Sequence, residues 1–132
     1  MQVTIVHDYF TQLGGAERVV AHLADLYPDA GLRASVVDRR LLPAALQGRR
    51  VTSTRLQPLL DAGLPLAALG PLLPGAFGRM ALDGTDVVLT STSAFAHHVR
   101  VPAGAVHVAY VHTPPRFLWS TGSYFERKRL RG

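Results

Sequence analysis

Val3-Thr4-Ile5-Val6-His7-Asp8-Tyr9-Phe10-Thr11-Gln12-Leu13-Gly14-Gly15-Ala16-Glu17-Arg18-Val19-Val20 is the stretch whose reading decides the fold. Its first five residues form a short apolar run rich in β-branched side chains, the pattern of a strand buried on both faces of a parallel sheet. The run passes directly into a polar loop that ends in two glycines. A helical pattern follows, with Ala16, Val19, Val20, Leu23, Ala24 and Tyr27 recurring at three- and four-residue spacing. Glu17, Arg18, His22 and Asp25 fall on the other side, and Pro28 ends the helix. Leu32–Asp38 then reads as a second strand. Strand, glycine loop, helix and strand make the first βαβ unit of an open sheet.

Working outward, Leu41–Leu46 is expected to form one helical turn or two, and Arg50–Ser53 a short third strand. The seventeen residues between Asp61 and Arg79 carry no charge and are rich in Leu and Ala. They also hold Pro65, Pro71, Pro74, Gly63, Gly70, Gly75 and Gly78, which would kink a continuous helix repeatedly. This region reads as broken helical segments, partly packed on the sheet and partly exposed, rather than as a membrane span. Asp86–Ser91 is a further β-rich run, leading into a short helix at Ala94–His98. Ala105–Val111 is the last strand, stopped by Thr113-Pro114-Pro115. About five strands alternating with helices define an α/β fold, an open and mostly parallel sheet with helices on both faces.

A chain of 132 residues is the size of one ordinary domain, and 48% hydrophobic content suits a folded core rather than a disordered segment. It contains no cysteine, which removes disulfides, thiolate catalysis and thiolate metal sites. The start, Met1-Gln2-Val3-Thr4-Ile5-Val6, has neither a basic leader nor a cleavage site, so a cytoplasmic location is expected. The net charge of +5 is concentrated at one end. Arg127, Lys128, Arg129 and Arg131 fall in the last six residues, whereas residues 1–123 carry ten cations and eight acids, a net of +2. A basic stripe interleaved with aromatics is missing, and no nucleic-acid partner is expected.

Ligands of open parallel sheets bind beyond the carboxyl ends of the strands. In this chain those ends carry His7-Asp8 with Gly14-Gly15, then Thr90-Ser91-Thr92-Ser93, then His112-Thr113-Pro114. A glycine pair before a helix lets backbone N–H groups approach a diphosphate, or it is a tight turn with no ligand. The dinucleotide fingerprint G-x-G-x-x-G is absent. His112 at a strand tip could hydrogen-bond a sugar hydroxyl or phosphate, act in proton transfer, or cap a turn. Asp8 could orient a hydroxyl, serve as a base, or cap a turn or helix. Arg116 could pair with a phosphate or form a surface ion pair. His97 and His98 are adjacent, so on a helix they point about 100° apart and share no metal. With no Cys and no H-x-x-x-H spacing, no metal is expected.

Three stretches taken together, residues 5–20 (IVHDYFTQLGGAERVV), 86–99 (DVVLTSTSAFAHHV) and 106–119 (VHVAYVHTPPRFLW), resemble the N-terminal domain of family 4 retaining glycosyltransferases of the GT-B fold. The likeness runs over nearly all 132 residues and is strongest at its two ends. It implies a single Rossmann-like, acceptor-side domain over residues 1–132, half of an enzyme built on two such domains around a cleft. The resemblance further implies a nucleotide-sugar donor, a saccharide or lipid-linked acceptor and no metal or other cofactor. Gly14 and Gly15 would lie near the donor diphosphate, and Glu17 would fix the start of the helix. His112 would face the cleft near the transferred sugar with Arg116 close by, and Asp8 would line the acceptor side. Front-face attack, with the leaving diphosphate helping to take the acceptor proton, would preserve anomeric configuration. The C-terminal donor-binding domain lies outside these 132 residues, so the chain by itself is expected to be inactive.

A second reading makes the chain a non-catalytic α/β binding or scaffold module, in which the glycines and His112 are structural. Compatible with either is peripheral contact with an anionic membrane through Leu56–Phe77 and the Arg-rich end. Ordinary core packing and a solvated tail account for the same residues.

Overall fold

The computed structural model of the chain describes residues 1–11, 14–92 and 95–112. Its strands are β1 (Val3–His7), β2 (Gly31–Ala34), β3 (Val51–Thr52), β4 (Val87–Thr92) and β5 (Val106–Val111). They form one all-parallel sheet in the order β3-β2-β1-β4-β5. This is an α/β, Rossmann-like sheet with its first strand central. Placing β1 in the middle explains its composition, because Val3, Ile5 and Val6 must meet a hydrophobic layer on each side.

The helix α1 (Gly15–Leu26) covers one face. Val20 and Ala24 pack there with Val3, Ile5, Phe10, Leu32, Ala34 and Val51. The opposite face carries Val6 and Val88 against Phe77, Leu82, Ala96 and Val99. Those partners come from the chain that joins β3 to β4 and from the short link between β4 and β5. The uncharged region breaks at its prolines and glycines, as expected, into α2 (Gln57–Asp61), α3 (Leu66–Leu69), a 3₁₀ turn (Gly70–Leu72) and α4 (Leu73–Gly78). Leu69, Leu73 and Phe77 are buried, whereas Leu59, Leu64 and Leu72 face solvent. No helix among the described residues is long and apolar enough to cross a membrane.

Two elements differ from the sequence expectation. The second strand pairs only through Ala34, beyond which residues 35–38 follow 8–10 by single hydrogen bonds and one isolated bridge, Phe10 to Val37. The Ser35 amide and hydroxyl both donate to the Asp8 carbonyl. Residues 41–46 form helical turns as expected, two of them and both 3₁₀, Arg39–Leu41 and Ala44–Leu46, with Leu42 and Pro43 between. The helix expected at residues 94–98 is a single 3₁₀ turn, Ala96–His98. The stop at Thr113-Pro114-Pro115 lies outside the described residues.

Arg49 closes the far end of α1. Its guanidinium donates to the carbonyls of Ala24 (2.9 Å) and Ala30 (2.7 Å), placing a cation where the helix leaves carbonyls without intrahelical partners.

Candidate functional site

The carboxyl ends of β1, β4 and β5 bring together most of the polar residues singled out from the sequence. Register sets their grouping. His7 lies beside Ser91 across the β1–β4 pair, and Ser91 beside Tyr110 across the β4–β5 pair. Side chains alternate along strands, so His7 shares the α1 face with Val3 and Ile5, and Tyr110 and His112 share a face with each other. Their rings stand 4.9 Å apart. The His112 amide continues the ladder by donating to the Thr92 carbonyl (2.9 Å).

On this face a polar cluster runs from the start of α1 to the tip of β5. His7 Nε2 lies 3.7 Å from Glu17 Oε2, with both side chains buried. His7 Nδ1 is 3.1 Å from the Ser91 carbonyl and 3.2 Å from Ser91 Oγ. Ser91 Oγ is 2.6 Å from Nε2 of His112. Glu17 is the one member whose burial departs from expectation. The helical pattern puts it on the polar side of α1, yet its relative exposure is 1%. The reason is its position three residues into the helix, directly over the polar tip of β1, where an imidazole replaces the apolar floor. Apolar periodicity has no means of anticipating a charge paired beneath a helix.

Asp8 turns the other way. It is 1% exposed, and its Oδ1 accepts from the Thr92 hydroxyl (3.2 Å) and the amides of Phe95 (3.0 Å) and Ala96 (2.7 Å). Those amides open the 3₁₀ turn, so Asp8 acts as its cap and ties β1 to the β4–β5 link. The adjacent residues His7 and Asp8 thus serve opposite layers of the sheet. Nearby, Thr92 Oγ1 is 3.3 Å from His97 Nδ1, and Thr90 Oγ1 is 2.9 Å from His107 Nε2. Sequence reasoning assigned no role to either histidine; period-two alternation along β4 and β5 is the signal that pairs Thr90 with His107.

Gly14 is the N-cap of α1, in extended backbone and with no side chain to cap the helix. A Cβ at Gly14 would meet the Glu17 carboxylate at 3.9 and 4.0 Å, an ordinary contact, and one at Gly15 would meet nothing within 4 Å. Among the described residues nothing crowds Gly15 at the first turn of α1, whose leading amides have no intrahelical acceptor. Arg116 lies outside the described residues.

Electrostatics follow burial. Burial, reinforced by His7, pushes the His112 imidazole below the ordinary histidine value, against the opposing pull of the Asp8 and Glu17 carboxylates. His97 is lowered mainly by burial, with His98 next in importance. Tyr9, half-buried beside the same carboxylates, is raised by burial first and by Asp8 and Glu17 after it. Among the described residues no three His, Asp or Glu side chains gather as a metal site.

A cavity of about 550 Å³ opens away from this cluster, lined by Arg33, Arg55 and Arg79 together with Leu56, Leu72 and Met80. Among the described residues none of the three arginines forms an ion pair. No protein-family model matches the chain, and no curated protein or solved structure matches it at a significant level.

Proposed function

We propose that the chain is the N-terminal, acceptor-side half of a retaining glycosyltransferase of the GT-B fold. In this reading it transfers a sugar from a nucleotide-sugar donor to a saccharide or lipid-linked acceptor once joined to a donor-binding domain. The observation that carries the reading is the meeting of His112, Ser91, His7 and the first turn of α1 at one rim of a parallel sheet. The α1 amides and helix dipole would stabilise charge on a departing diphosphate over Gly14 and Gly15. Glu17, paired with His7, would hold that turn in place. His112 and Arg116 would contact the transferred sugar and its phosphates, and Asp8 would shape the acceptor side by fixing the turn at residues 95–98. The cavity around Arg33, Arg55 and Arg79 has the charge and the apolar wall to take the phosphate of a lipid-linked acceptor.

The test is sugar transfer by the domain joined to its donor-binding partner, with UDP- and GDP-linked donors, comparing wild type with His112→Ala. We expect turnover to fall at least tenfold while the domain stays folded, with the melting temperature lowered only by the loss of the Ser91–His112 hydrogen bond. Transfer that survives the substitution rejects the role of His112. Absence of transfer from every donor, with the complete enzyme folded, favours the scaffold reading, to which the use of Asp8 as a buried cap already lends weight.

A further inference from the structure

Hydrogen-bond chemistry determines where the protons of the Glu17–His7–Ser91–His112 cluster sit. A backbone carbonyl can only accept. The Ser91 carbonyl lies 3.1 Å from His7 Nδ1, so that nitrogen carries a proton and donates. The same N–H is 3.2 Å from Ser91 Oγ and faces it as a donor too. On the far side of the ring, Nε2 faces the Glu17 carboxyl at 3.7 Å. Ser91 has a single hydroxyl hydrogen. His7 Nδ1 already bears hydrogen, so this proton has one acceptor left among the described residues, Nε2 of His112 at 2.6 Å. The reverse arrangement would aim two N–H groups at Ser91 Oγ and leave a wholly buried hydroxyl proton without a partner.

We infer that the buried His7 Nδ1–H, acting through the Ser91 hydroxyl, holds His112 as a neutral imidazole whose proton is on Nδ1. His112 then meets a ligand as a hydrogen-bond donor, and Nε2 is not available as a base. His7 and Ser91 are positioning residues for His112. The tautomer of a histidine is set by the partner of its other nitrogen, and that partner here is itself fixed by a buried N–H. The groups around the ring agree. Burial and His7 oppose a charge on His112, Asp8 and Glu17 favour one, and the net effect favours the neutral ring. The use of this donor in sugar transfer rests on the proposed function, whereas the tautomer itself is a property of the free chain.

The experiment is therefore done without substrate. Histidine imidazoles are labelled with ¹⁵N in the chain, and long-range ¹H–¹⁵N correlations are recorded across a pH titration, with His112→Gln identifying the His112 signals. Wild type should show a pyrrole-type shift at Nδ1 and a pyridine-type shift at Nε2. In Ser91→Ala the proton should redistribute toward Nε2 and the His112 pKa should rise, because a hydrogen bond to the neutral form has been lost. Ser91→Thr, which keeps the hydroxyl, should restore the wild-type pattern. Glu17→Gln should lower the His112 pKa by removing a carboxylate, the opposite direction to Ser91→Ala. A protonated Nε2 in wild type overturns the inference without need of any variant. So does an unchanged His112 tautomer in folded Ser91→Ala. A null result in the transfer assay leaves this outcome untouched, so the two failures are told apart.

Discussion

Replacing Asp8 with alanine should be among the most damaging single changes in this chain. The carboxylate is 1% exposed, and its Oδ1 accepts from two backbone amides and one hydroxyl at 2.7 to 3.2 Å. Alanine would leave the amides of Phe95 and Ala96 and the Thr92 hydroxyl without that acceptor. Each orphaned amide costs about 1–3 kcal/mol, and with the Thr92 hydroxyl able to turn to His97 Nδ1 the total is about 3–4 kcal/mol. Against a total stability of about 5–15 kcal/mol, the variant should remain folded in the cold but lose much of its reserve. With a urea dependence of about 2 kcal/mol per molar, the unfolding midpoint should move down by about 2 M. Asp8→Asn supplies the internal control. It keeps an oxygen acceptor and loses the charge assistance, so its cost should be about 1–2 kcal/mol. Urea titrations of the three proteins, followed by near-UV circular dichroism, measure the order directly. Equal midpoints for Asn and Ala, or both within about 0.5 kcal/mol of wild type, would refute the argument that Oδ1 caps the turn.

Other consequences of the structure can be measured in the same way. His97 and His112 bind protons more weakly in the folded chain than in the unfolded one. Their contribution to stability is therefore present above the ordinary histidine value of about 6.5 and is lost as pH falls below it. Urea midpoints at successive pH values should decline on that acid limb, with a shallower slope in His97→Gln and His112→Gln; a flat or rising limb in wild type would contradict the assignment. Phe77 is fully buried between α4 and the sheet. Phe77→Ala should cost about 3–5 kcal/mol by opening a cavity there, and a melt within a few degrees of wild type would mean that α4 does not pack on Val6 and Val88.

Much of the architecture can be read from residue order alone. β1, the glycine loop and α1 announce themselves because a two-sided buried strand must be continuously apolar, whereas a helix over a core repeats its apolar residues every three or four positions. The charge-free stretch at 62–78 was legible for a complementary reason, since proline and glycine are local punctuation whose effect needs no tertiary partner. The candidate site was legible as a set of strand tips: His7-Asp8, Thr90–Thr92 and His112 each follow an apolar run.

What those tips do was decided by tertiary structure. Alternation along β1 puts the neighbours His7 and Asp8 on opposite layers, but it does not show that one meets Glu17 and the other the turn at residues 95–98. Nor does a helical pattern reveal that Glu17, on the polar side of α1, lies buried over an imidazole. Ser91 and His112 are twenty-one residues apart, and their 2.6 Å contact depends on the register of β4 with β5. The physical reason is common to all of these. Backbone preference and apolar spacing act within a few residues, whereas the pairing of buried polar groups depends on which strands become neighbours, a choice made by the sheet as a whole.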